Sequence, residues 1–142
     1  MNVARKFWRL SGSDRRLLLD AAVLLAAYRV ALWVLSWNRV AAPRPARGQP
    51  SAKQIPIERL EWAVRTASRA IPVANCLTAA LALHHLMSRA GYESTIHIGV
   101  AKTPARGFEA HAWVEHDGVT LLNSASEIAH YARLLALQTR PQ

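Results

Sequence analysis

Apolar residues recur at helical spacing in three early stretches and alternate with period two in the later ones. Leu17 to Trp37 is a long apolar helix candidate, and Ser13 with Asp14 suits its start. A second helix begins near Pro56, a residue that fits a first helical position. It sets Ile57, Leu60, Val64, Ala67 and Ile71 on one side, turns Glu58, Arg59, Arg65 and Arg69 outward, and ends at Pro72. The third follows Asn75, a preferred N-cap, so Cys76 is its first helical residue. Ala79, Ala80, Leu83, Leu86, Met87 and Ala90 share the side of Cys76, and Gly91 stands where a C-cap belongs. The period then changes. Ile96, Ile98 and Val100 alternate within 94–100; Phe108, Ala110, Ala112 and Val114 alternate with Glu109, His111, Trp113 and Glu115. A third strand covers 119–123, and Ser124 with Glu127 has capping-box spacing for a last helix through Leu137. Helices followed by a meander predict an α+β fold, with the cysteine helix packed on a small antiparallel sheet.

Pro43, Pro45, Gly48 and Pro50 forbid a regular element and mark a linker. The expected division is an N-terminal arm with its linker, 1–50, and a domain over 51–142. The charge divides there too. Residues 1–50 carry nine Arg/Lys against two Asp, a net +7, whereas 51–142 carry a net +2. Leu17–Trp37 is long enough to span a membrane, but Asp20 and Arg29 are expensive in hydrocarbon. A helix packed on the domain, or lying on a membrane surface with its arginines in water, fits better. No nucleic-acid motif accompanies the basic arm. One cysteine excludes an internal disulfide, and no secretory signal is evident. The expected location is cytoplasmic, peripheral to the inner face of the membrane where the arm docks there.

Cys76 holds the chemistry. Unsatisfied N–H groups at a helix start favour an anion and can stabilise a developing oxyanion. The plain alternative is a small buried hydrophobe. A three-residue turn at His116-Asp117-Gly118 would pair Glu115 with Val119 and place His111 opposite Asn123; a two-residue turn would slip the pairing and turn Asn123 away. Cys76, His111 and Asn123 then follow triad logic: nucleophile, proton carrier, and a third residue that fixes the imidazole tautomer. A structural histidine and a turn asparagine are the competing readings. The six histidines show no ligand spacing, so neither metal nor cofactor is expected.

Asn75-Cys76-Leu77 with 80–83, Ile98-Gly99-Val100, Phe108, the run Ala110-His111-Ala112-Trp113-Val114-Glu115, and Asp117-Gly118 together resemble the lasso peptide biosynthesis B2 proteins. These are transglutaminase-like cysteine proteases that remove the leader from a precursor peptide. The resemblance covers essentially the whole chain, including the Arg- and Leu-rich arm. It implies a papain/transglutaminase-like core, Cys76 as nucleophile and His111 as base. It also implies a separate leader-binding B1 protein and an ATP-dependent lasso cyclase as partners, because the arm reads as helical and not as a β-rich leader-recognition domain. The family usually has Asp where this chain has Asn123. A transglutaminase-fold acyltransferase, or a non-enzymatic adaptor at a membrane surface, are the alternatives.

Overall fold

A computed structural model describes residues 3–40, 54–72 and 74–138. The expected linker, 41–53, lies outside them. The chain runs α1 (Val3–Trp8), α2 (Gly12–Val34), α3 (Trp37–Val40), α4 (Ile57–Ala70), α5 (Cys76–Arg89), β1 (Thr95–Thr103), β2 (Gly107–His116), β3 (Val119–Leu121), α6 (Ala125–Ile128) and β4 (Ala132–Gln138). The sheet is antiparallel in the order β3-β2-β1-β4, so the fold is α+β.

Local capping explains where the helices begin. Ser11, not Ser13, caps α2: its hydroxyl accepts the Asp14 N–H at 3.1 Å. The amphipathic pattern of α4 buries Leu60, Ala63, Val64 and Ala67. α5 opens on a full capping box, Asn75 accepting from the Thr78 N–H and Thr78 from the Asn75 N–H, both at 2.9 Å.

α5 is the centre of the molecule. It packs against α2 and α4 on one side and β2 and β1 on the other. That sandwich explains why Ala80, Leu81, Ala82, Leu83, Leu86 and Met87 are all buried, a wider coverage than one apolar stripe requires. α2 is part of the same core, contributing Leu17, Ala21, Leu25 and Tyr28.

Two expectations are corrected. The helix opened by Ser124 and Glu127 has its capping box but stops at Ile128, not Leu137. Residues 132–138 form β4 instead, pairing with the otherwise open edge of β1, Ile96 opposite Leu137 and Gly99 opposite Arg133. The ladder satisfies backbone groups that a terminal helix would leave on β1, and tertiary pairing overrides helix propensity. The register shifts between Ile98 and Gly99, because Leu134 is an extra residue in β4. The second correction is the hairpin. His116 pairs with Val119 and Glu115 with Thr120, across a two-residue turn in which Asp117 (φ 47°) and Gly118 (φ 77°) are both left-handed.

Candidate active site

Cys76 is the first residue of α5 and is half-buried against the core. Asn75 takes the Thr78 N–H, while the N–H groups of Cys76 and Leu77 have no acceptor among the described residues. Those two donors are aligned with the α5 dipole, which favours a negative oxygen at the helix start.

His111 lies on β2. Ala112 and Val114 of that strand turn into the core shared with α5. By alternation His111 and Trp113 turn to the sheet's other face. Ring contacts agree: His97 stacks on Trp113 at 5.6 Å, Trp113 lies 6.4 Å from His111, and His111 stacks on Tyr131 at 5.2 Å. His130 continues the row against Tyr131 at 4.3 Å, and the Arg133 guanidinium sits over Trp113 at 5.8 Å. Trp113 is only 1% exposed, and its ring N–H is buried without a hydrogen-bond partner among the described residues. Gly99, opposite His111 in β1, makes this row possible. A Cβ there would meet the Ala132 carbonyl at 2.9 Å and the Trp113 ring at 3.0 Å.

His97 is also in the row. Burial, then the charge of Arg133, push its pKa down, and Glu115 opposes them. Glu115 lies 3.4 Å from His97 and 3.2 Å from Arg133.

Asn123 follows the hairpin. The two-residue turn puts its register position opposite Ala112, not His111, and β3 ends before it. Leu122 breaks the strand with φ 69°, a left-handed conformation that costs a non-glycine residue about 1 kcal/mol. Its N–H leaves the ladder and donates to Glu61 of α4 at 2.9 Å. Strain held in place by a neighbouring helix, one residue before a candidate site residue, is the kind of outlier that marks functional loops.

The structure therefore gathers His111 with Trp113 and Tyr131, and does not join it to Cys76 or Asn123. Among the described residues no hydrogen bond links any two of the three candidates. Sequence reasoning passed over two neighbours of His111. The expected helix through Leu137 covers Tyr131, which instead lies between α6 and β4. The sequence marks Glu127 only as a cap. Its hydrogen bonds to Ser124 hold its pKa down, with smaller contributions from Arg65 and from His111, so its carboxylate lies within electrostatic reach of the imidazole. The capping-box spacing gave Glu127 away as ordered; nothing local tied it to His111. No group of three His, Cys, Asp or Glu side chains among the described residues could hold a metal.

The transglutaminase-like superfamily matches residues 21–136, from within α2 to within β4. No curated protein and no solved structure matches the chain.

Proposed function

The chain belongs to the transglutaminase-like superfamily, whose chemistry is that of cysteine peptidases and acyltransferases, and on that premise we propose that it removes the leader from a lasso peptide precursor. One observation carries the reading. The sole cysteine is the first residue of a capped helix, and β2, packed on that helix, bears the Ala110-His111-Ala112-Trp113-Val114-Glu115 run.

The Cys76 sulfur attacks the scissile carbonyl carbon, and N–H groups at the start of α5 receive the oxyanion. His111 takes the thiol proton and passes it to the leaving amine. Water then hydrolyses the thioester. Asn123 orients His111 in this reading. A leader-binding B1 protein delivers the precursor, and a separate ATP-dependent cyclase closes the macrolactam. Catalysis in this reading requires His111 to reach Cys76 from the sheet face turned away from α5, a rearrangement of β2 larger than the tightening of one hydrogen bond.

A second reading, an adaptor that keeps the superfamily frame without the chemistry, is favoured by one observation: His111 is stacked on Tyr131 and unlinked to Cys76. Mass spectrometry of precursor peptide incubated with the chain and a leader-binding partner separates the two. Cleavage that disappears in Cys76→Ala supports the peptidase. Cleavage retained in a folded Cys76→Ala variant overturns it. Absent cleavage, together with a Cys76 thiol inert to labelling at neutral pH, supports the adaptor.

A further inference from the structure

α2 has two apolar faces and the fold uses only one. Leu17, Ala21, Leu25 and Tyr28 are buried on α4 and α5. On the opposite side Leu19, Val23, Ala27, Val30, Trp33 and Val34 are exposed, Val23 by 66% and Trp33 by 87%. Their steps of three and four residues stack them into one stripe about 22 Å long. Asp20 lies at its N-terminal edge, one turn after Arg16.

Both ends of the stripe are basic and aromatic. At the start, Trp8 is 72% exposed with the Arg15 guanidinium over its ring, beside exposed Arg5, Lys6 and Arg9. At the far end stand Trp33 and Arg39. Asp14 does not offset this charge, because it is paired with Arg59. Tryptophan and arginine flanking an apolar stripe match the depth profile of a lipid headgroup region.

The helix is long and apolar enough to cross a bilayer, but its mounting excludes crossing with the domain attached. It is held sideways along its length: Asp14 to Arg59 near one end, and the Tyr28 hydroxyl to His85 at 3.0 Å towards the other. A spanning α2 would carry α4, with Glu58, Glu61, Arg65 and Arg69, into hydrocarbon, or would tear away from the core. We propose that the outer face of α2 is a docking surface for an anionic lipid bilayer, with the helix axis lying in the membrane plane.

The test is co-sedimentation of the full chain with vesicles of phosphatidylcholine, alone or with about a third phosphatidylglycerol, followed over salt because exposed charges are screened within roughly 10 Å at 0.1 M. The chain should bind the anionic vesicles at low salt and progressively less as salt rises. The double variant Val23→Glu/Val30→Glu should partition more than about tenfold more weakly, through lost apolar burial alone. Its thermal midpoint should not change, since both side chains are exposed. Quenching of tryptophan fluorescence by brominated lipid should fall in Trp33→Phe, which does not depend on the double variant folding. No binding to anionic vesicles at low salt, or equal binding by the double variant, overturns the proposal. So does a lipid-free dimer that the double variant dissolves, which assigns the stripe to a second copy, and so does carbonate-resistant integration, which makes α2 a span.

Discussion

Acid should weaken this fold through His84. That residue lies on α5, eight positions after Cys76, and its Nδ1 sits 2.7 Å from the Ser94 hydroxyl just before β1. It therefore ties the central helix to the start of the sheet. Burial first, and the charge of His85 second, push its pKa down from 6.5 to about 4. Between those values the unfolded chain binds a proton that the folded chain refuses, so stability falls as pH falls through the window and is unaffected by this group above it. At 1.36 kcal/mol per pH unit, the loss is about 2 kcal/mol by about pH 5 and about 3 kcal/mol by about pH 4. Domains of this size have only about 5–15 kcal/mol in total. His97, whose pKa burial also lowers, adds a change of the same sign. Urea unfolding at about pH 7, 6 and 5 reads the effect. His84→Gln keeps an amide within reach of Ser94 and does not titrate, so the parent should lose about 2 kcal/mol more than the variant over that range. Equal pH slopes for the two proteins would refute the argument.

Other substitutions test the site's frame. Gly99→Ala should cost about 1–3 kcal/mol in urea unfolding, since neither the Ala132 backbone nor the buried Trp113 ring can give way to the new Cβ; an unchanged midpoint would mean the Trp113 row is loosely packed. Asn75→Ala removes the cap that frames Cys76 and should cost about 1 kcal/mol, read by the same unfolding measurement. Asn123→Ala should lower kcat with little change in KM, because orientation of His111 acts in the transition state. An unchanged kcat removes Asn123 from the site, and the loss should then appear in Glu127→Gln.

What the chain discloses in sequence is what local chemistry decides. Asn75 and Thr78 are three residues apart and cap α5 by themselves, so the position of Cys76 at a helix start was legible. The Ser124–Glu127 box was legible for the same reason. Its helix length was not. Ala132–Gln138 contains Leu134, Leu135 and Leu137, which suit a helix as well as a strand, and only the open edge of β1 decides between them. The family match, ending within that segment, covers both possibilities equally.

The hairpin is the more instructive case, because the signal for the observed turn stands in the turn dipeptide itself. Asp117-Gly118 is the dipeptide of a two-residue type I′ turn. A three-residue turn would set Asn123 against His111, and a two-residue turn would turn it away. The observed turn gives Asn123 a different register position, and Leu122 then leaves the left edge of the strand by turning left-handed and sending its N–H to Glu61. Glu61 is on α4, 61 residues earlier, and no pattern within the hairpin could announce it. The third member of a triad is thus the part of such a site least available to sequence reasoning. A nucleophile needs a helix start and a base needs a strand, both local. An orienting residue needs the distance between two elements, and the path of the chain into Asn123 depends on Glu61, a carboxylate on a helix in another layer.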